Sequence, residues 1–274
     1  MSVAFVTGCS SGFGAAIALA FAERGYQVVA TMRKLESAPR RLKALATDRP
    51  GDVAIVPLDI TNPVMRKSAL DLTLERFGRI DVLINNAGIT ARGSFEDTPE
   101  DLWRRMFETN LFGPLELIRL VLPVMRSQGA GRIVNITSVA ALLKTPLLSA
   151  YCASKLAFDA ASAALDIEVR GFGVRVACVM PGPFNTSLAQ NSLDRDSSTP
   201  YAAIAASFDA KFDAMEANAP EDLTPVVNAV LAAATDPDPA IRYPVGTDKI
   251  AVLPPILQAL APLQQLGLHL TGQS

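Results

Sequence analysis

Short apolar runs alternate along the chain with longer stretches in which apolar residues recur every three or four positions. The runs at 3–7, 27–32, 53–58, 81–86, 132–138, 174–180 and 241–245 are rich in β-branched residues and predict strands. Val28-Val29-Ala30 and Val82-Leu83-Ile84 are apolar without alternation, the pattern of strands buried on both faces. Between the runs, 12–24, 38–46, 63–77, 99–126 and 150–170 carry helical spacing. Such alternation predicts an α/β chain built on a parallel sheet with helices covering both faces. After Pro183 the composition shifts: 185–200 is rich in Asn, Ser, Asp and Thr, and 201–235 reads as two Ala-rich helices. We read 185–235 as a lid inserted within a single domain spanning 1–274, since long ordered connections are usually functional.

Composition narrows the chemistry. The 274 residues are 50% hydrophobic, which supplies a large core and excludes disorder for most of the chain. Lys and Arg number 25 against 27 Asp and Glu, so no basic excess tracks a phosphate backbone, and no nucleic-acid partner is expected. Cys9, Cys152 and Cys178 form an odd, sparse set, which fits reduced thiols used for packing in a cytosol-like compartment. The first strand begins at residue 3, leaving no room for a signal peptide, and no stretch offers ~20 uninterrupted apolar residues for a membrane span. Residues 250–274 carry no Lys, Arg, Asp or Glu, but Pro254, Pro255, Pro262 and four glutamines make them a poor spanning helix. A packed tail, or a further subunit or membrane-surface contact, is the reading for 250–270, and a cytoplasmic location is expected. The one histidine, His269, lies near the end, which removes most metal sites and every Ser-His-Asp or Cys-His mechanism that needs a His in the body of the fold; no metal is expected. Tyr, Lys, Ser, Asn, carboxylates or a cofactor must carry any chemistry.

Thr7-Gly8-Cys9-Ser10-Ser11-Gly12-Phe13-Gly14 joins the first strand to the first helix. Glycines there permit a tight turn and let backbone N–H groups approach a pyrophosphate at the helix N-terminus, although glycines also serve plain turns. Tyr151 and Lys155 are four apart at the start of a helix and share one face. That spacing equally suits a core ring beside a solvated amine. Ser138 lies thirteen residues before Tyr151, just past a strand.

The pattern Thr-Gly-x-x-x-Gly-x-Gly, with glycines at 8, 12 and 14, resembles the short-chain dehydrogenase/reductase family. Asn85-Asn86-Ala87-Gly88, Asn110, Ser138, Tyr151-x-x-x-Lys155 and Pro181-Gly182-Pro183-Phe184-Asn185-Thr186 follow in the family's order, over about residues 2–190. The resemblance implies a Rossmann-type doubly wound fold with a seven-stranded parallel sheet in order 3-2-1-4-5-6-7, and a nucleotide across the strand ends where the order reverses. It implies Asn110, Ser138, Tyr151 and Lys155 as the catalytic set, with Ser138 and Tyr151 also touching substrate. Cofactor contacts would come from Gly8, Ser10, Ser11, Gly12, Phe13 and Gly14, and from Asn86, Ala87 and Gly88 at the adenosine ribose. Asp59 and Ile60 would lie at the adenine edge, Pro181, Gly182, Phe184 and Thr186 on the nicotinamide side, and Tyr151 and Lys155 at the ribose. NAD-specific relatives place an acid near position 32. Here Met32 is followed by Arg33, which can fork onto a 2′-phosphate, so NADP(H) is expected over NAD(H). Relatives assemble through the long helices, so a homodimer or homotetramer is expected. Arg242-Tyr243-Pro244-Val245-Gly246 resembles a last-strand motif of relatives acting on hydrophobic alcohols and ketones.

The chemistry also follows from the side chains. A Tyr hydroxyl at pKa ~10 is a poor base, and the Lys155 ammonium with an oxidised nicotinamide favours the phenolate. Lowering that pKa by about 3 units needs about 4 kcal/mol of differential interaction. Tyr151 would exchange a proton with a carbonyl or alcohol while Ser138 bonds the same oxygen. The family resemblance further implies that Asn110 orders a water relaying protons to Lys155. The apolar side chains within 139–148, with Pro183, Phe184 and 185–217, predict a pocket for an apolar ketone, aldehyde or secondary alcohol. A nucleotide-sensing protein with little turnover is the alternative, and a sugar-nucleotide epimerase or dehydratase a third reading.

Overall fold

A computed structural model describes residues 1–49, 51–190, 192–193 and 199–247. The expectations for 250–274, including His269 and the tail contact, lie outside the described residues, as do 191 and 194–198 of the insertion. Among the described residues, β1 (Val3–Val6), β2 (Gln27–Met32), β3 (Val53–Pro57), β4 (Val82–Asn85), β5 (Gly131–Ile136), β6 (Val174–Pro181) and β7 (Arg242–Val245) form one sheet. Every pairing is parallel, and the order β3-β2-β1-β4-β5-β6-β7 is the one expected.

Side chains alternate across this sheet, so β1 sends Ala4 and Val6 into one core and Val3 and Phe5 into the other. On the first face lie α1 (Gly12–Glu23) and α2 (Arg40–Asp48); on the second lies α3 (Pro63–Phe77). The ends of α3 are legible locally: Asn62 accepts from the N–H groups of Val64 and Met65, Pro63 sits at the first turn, and Gly78 closes it at φ 73°.

The helix expected over 99–126 is broken. It runs as α4 (Glu100–Phe107), one π turn (Glu108–Phe112), then α5 (Gly113–Gln128). Pro114 has no N–H to return to the Asn110 carbonyl four residues back, and Gly113 lets the helix approach the sheet so closely that a Cβ there would lie 2.7 Å from the Ile60 carbonyl oxygen. After β5 come the short α6 (Val139–Leu143) and the long α7 (Ser149–Val169), which packs with α5 on the second face.

The expected lid over 185–235 divides in two. After α8 (Ser187–Gln190), α9 (Ala202–Ala217) lies near the strand ends, but α10 (Thr224–Thr235) is a core helix. Its Val226, Val227, Val230 and Leu231 are buried with Ile17 and Phe21 of α1. A parallel crossover from β6 to β7 needs a helix on the sheet face, and α10 supplies it. Pro244 sits in β7 without cost because β7 pairs on one side with β6 at the end of the sheet order.

Candidate active site

β1 pairs with β2 on one side and β4 on the other, so the sheet order reverses at the end of β1. The chain ties the two exits together there. Thr7 Oγ1 accepts from the N–H groups of Asn86 (2.9 Å) and Ala87 (3.0 Å), while Asn86 Nδ2 donates to the carbonyls of Thr7 (2.9 Å) and Gly8 (3.2 Å). Gly8 has φ 73°, and a Cβ on it would lie 2.9 Å from Ala87 Cα. A Cβ on Gly14 would lie 2.3 Å from the Gly8 oxygen, so helix, loop and strand exit pack with no room for a side chain. Ser11 caps α1 in an extended conformation with no side-chain cap, which leaves the first-turn N–H groups to an anion. Its hydroxyl meets that of Ser187 instead. Ser10 is exposed beside it, and Phe13 faces Phe184. The arrangement fits the pyrophosphate of a dinucleotide.

The catalytic candidates converge at the end of β5. Ser138 caps α6, its Oγ accepting from the Ala140 N–H at 3.2 Å, and it lies near enough to the Tyr151 hydroxyl to act on its ionisation. Tyr151 and Lys155 are buried on one face of α7, and Lys155 Nζ donates to the Ile136 carbonyl at 2.8 Å. A Cβ built on Gly88 would lie 3.4 Å from Lys155 Nζ and 3.2 Å from Asn110 Oδ1, so these groups meet around the loop after β4. Burial raises the Tyr151 hydroxyl to about 12 against the lowering effect of Ser138, and burial lowers the Lys155 ammonium to about 8. The expected lowering of Tyr151 belongs to the oxidised complex, with Lys155 and the nicotinamide acting together; in the protein alone burial acts first. Desolvation disfavours both charges, and the Lys155 ammonium turns to a backbone carbonyl.

Asn110 is committed to the protein. Its Oδ1 accepts from the Ile89 N–H (2.9 Å), and its Nδ2 donates to the Ile89 carbonyl (2.9 Å) and Ser154 Oγ (3.1 Å), with Met106 Sδ at 3.2 Å. The π turn sets its side chain against the β4 loop as a two-point clamp. Both Nδ2 protons are thus taken by protein acceptors.

At the β2 and β3 exits, Arg33 is exposed just past β2 and makes no hydrogen bond to a described residue. Asp59 Oδ1 accepts from the N–H and hydroxyl of Thr61. The Ile60 side chain is buried in the core, and its carbonyl takes a hydrogen bond from Arg66 Nη1 at 2.6 Å. At the other end, Pro181 closes β6, Gly182 donates to the Val245 carbonyl at 2.8 Å, and Thr186 lies 3.4 Å from where a Gly12 Cβ would be.

Beside Tyr151 an apolar cluster gathers Ala91, Leu102, Met106, Leu148 and Cys152, with Ile89, Trp103, Leu193, Phe208 and Phe212 packed on it. The insertion is fastened to the β4 loop: Leu193 N–H to the Thr90 carbonyl (2.9 Å), Tyr201 to Glu96 (2.6 Å), and Arg92 to Asp209 (3.3 Å), with the Arg92 guanidinium 4.8 Å from the Phe212 ring centre. Burial raises all three thiols, which suits packing and not nucleophilic attack. Among the described residues no cluster of His, Cys, Asp or Glu could hold a metal, and no helix is long and apolar enough to cross a membrane.

Residues 2–197 match the family model described as short chain dehydrogenase. The chain belongs to the short-chain dehydrogenase family. An oxidoreductase of Bacillus subtilis, YusZ, is 37% identical to this short-chain dehydrogenase over 72% of the chain and 70% of its own length. A 3-ketodihydrosphingosine reductase of Bacteroides thetaiotaomicron is 35% identical over 69% of the chain and 66% of its own length. The crystal structure of a short-chain dehydrogenase from Streptomyces avermitilis superposes with a TM-score of 0.83 at 33% identity, covering 100% of this chain and 99% of that one. A Burkholderia phymatum short-chain dehydrogenase/reductase, solved in complex with NAD, superposes at 0.80 with 26% identity, covering 96% and 95%.

Within this short-chain dehydrogenase, sequence reasoning passed over several residues that hold the site. Thr7 and Ser154 carry bonds to the glycine loop and to Asn110, and Arg66 holds the Ile60 carbonyl. Asp159 forms a buried ion pair with Arg242. A buried-side carboxylate at 159, on the Tyr151 face of the helix, was the available signal.

Proposed function

We propose that this short-chain dehydrogenase is an NADP(H)-dependent oxidoreductase that reduces an apolar ketone or aldehyde, or oxidises the corresponding secondary alcohol. The observation that carries the reading is the burial of Tyr151, Ser138 and Lys155 together at the end of β5, with Lys155 one turn along the Tyr151 helix and seated on the Ile136 carbonyl. A nicotinamide cofactor supplies or accepts the hydride. Tyr151 donates a proton to the carbonyl oxygen, and Ser138 hydrogen-bonds that oxygen as negative charge develops on it. Lys155 donates toward the ribose hydroxyls and the tyrosine oxygen from its seat on the Ile136 carbonyl.

Arg33, exposed where an acid would favour NAD, supports NADP(H) as the preferred cofactor, with NAD(H) accepted more weakly. The apolar cluster beside Tyr151 supports a hydrophobic carbonyl substrate. The name of the Bacteroides relative, a keto-compound reductase, points the same way. Assembly as a homodimer or homotetramer, a cytoplasmic location and a single domain over the whole chain belong to the same reading.

The test is the initial rate of NADPH oxidation over ketones and aldehydes graded by size and polarity, with Tyr151→Phe as the blank. The expected result is turnover of bulky apolar carbonyls that vanishes in the variant. Rates equal to the variant's across the panel, with NADPH still bound, would replace this reading by the nucleotide-sensing one.

A further inference from the structure

We propose that β7 is a positioning strut of the site: through Arg242 it fixes the helix that carries Tyr151 and Lys155, and through Gly246 it fixes Phe184 and the glycine loop behind it. The inference rests on the proposed redox reading for its kinetic part only.

Residues 151, 155 and 159 stand at i, i+4 and i+8 of α7 and share one face. Asp159 is 2% exposed, and Arg242 grips it with both arms, Nε to Oδ1 at 2.9 Å and Nη2 to Oδ2 at 2.7 Å. A buried forked pair tolerates little displacement, because either charge left alone in the core is strongly unfavourable. The strand is also fixed at its start, where the Tyr243 hydroxyl accepts from the Ala240 N–H at 3.0 Å.

At its far end β7 meets the cofactor side. The Val245 carbonyl accepts from Gly182, and a Cβ on Gly182 would lie 2.5 Å from the Gly246 oxygen, so the two backbones touch. Gly246 has φ 67°, and a Cβ there would lie 2.8 and 2.9 Å from two carbons of the Phe184 ring. That ring stands edge-on to Phe13 at 5.6 Å, between Gly12 and Gly14 of the phosphate loop. From Arg242 to Gly246 the strand measures about 13 Å. It thus acts as a ruler between the proton-transferring helix and the aromatic wall of the nucleotide loop, touching no reacting group itself.

The test uses the full chain, with NADPH and NADH dissociation constants from fluorescence titration and kinetics on the best carbonyl of the panel. Gly246→Ala is expected to raise both dissociation constants about tenfold, since the added methyl displaces Phe184. Arg242→Lys, which keeps the charge but cannot fork, is expected to lower kcat by about tenfold or more and to shift its pH profile, with cofactor binding nearly unchanged. If that variant does not fold, Asp159→Leu with Arg242→Met keeps the volume and is read the same way. The proposal is overturned if the variants melt earlier while dissociation constants, KM, kcat and pH profile all stay within about twofold of the wild type. If the wild type binds NADPH but reduces no carbonyl, the redox reading fails, and Gly246→Ala binding alone decides the strut.

Discussion

Lys155→Met tests how the site's charge is held. Burial takes the Lys155 ammonium from 10.5 to about 8, so at neutral pH the folded chain keeps a charge that its surroundings disfavour by about 3 kcal/mol. Between pH 8 and 10.5 the unfolded chain still binds a proton that the folded chain has shed, and stability rises with pH across that window. Methionine fills the same space without the charge, but it leaves the Ile136 carbonyl without its 2.8 Å partner, a loss of about 1–3 kcal/mol. Near pH 7 the variant should therefore match or slightly exceed the wild type in stability. By pH 10 it should have lost about 2–3 kcal/mol relative to it. Urea unfolding, followed by far-UV circular dichroism from pH 6.5 to 10 on both proteins, measures the difference while other titrating groups cancel. The scan stops there because Tyr151, raised from 10 to about 12, contributes stability that fades as pH climbs through that range. A stability difference constant within about 0.5 kcal/mol from pH 7 to 10, or moving in the opposite sense, refutes the burial argument.

Asn110→Ala should destabilise the fold by about 2–4 kcal/mol, because it strands the buried N–H and carbonyl of Ile89; thermal unfolding checks this, and full stability with lost activity would make the amide a chemical participant instead of a clamp. Arg92→Ala should raise KM for bulky apolar carbonyls several-fold with kcat kept, since the guanidinium ties α9 to the β4 loop through Asp209 and Phe212. Its stability should change by no more than about 1 kcal/mol, because the Asp209 carboxylate is largely solvated. Arg33→Ser should weaken NADPH about tenfold and leave NADH unchanged, read as paired dissociation constants.

The parallel sheet was legible from local apolar runs, while its order and the meeting of Gly8, Asn86, Ser138, Tyr151 and Lys155 were legible through the family resemblance that their motifs carry. What was not legible depends on packing across long separations. Glu108–Phe112 carries ordinary helical periodicity, and its π turn follows from Pro114 together with the close approach of Gly113 to Ile60 on another element. Asp159 and Arg242 are 83 residues apart, and neither looks unusual until the fold buries both. The Ala-rich composition of 201–235 hides the difference between α9, which lies over the β4 loop, and α10, whose valines face the sheet. The expected lowering of Tyr151 invoked Lys155 together with a bound oxidised nicotinamide, whereas the protein's own groups act on the hydroxyl first through burial. A four-residue spacing shows that Lys155 is near, but not that the hydroxyl is buried enough for desolvation to raise it.

That sign has a consequence for direction. A Tyr151 hydroxyl held near 12 keeps its proton throughout the physiological range, which equips it to protonate a carbonyl oxygen and leaves it a weak base toward an alcohol. Lys155, lowered to about 8, keeps most of its charge at pH 7 and loses it through the alkaline range, where it no longer favours the phenolate. Under the proposed function, carbonyl reduction should run well near pH 7. Alcohol oxidation should gain about tenfold per pH unit across the alkaline range, as the ionised tyrosine fraction grows. Initial rates in both directions from pH 6 to 10, with one carbonyl and its alcohol, make the comparison. An oxidation rate that is flat with pH, and already comparable to reduction at pH 7, would mean that bound substrates lower Tyr151 far more than burial raises it, and the balance of charges in the working site would lie with the ligands instead of the fold.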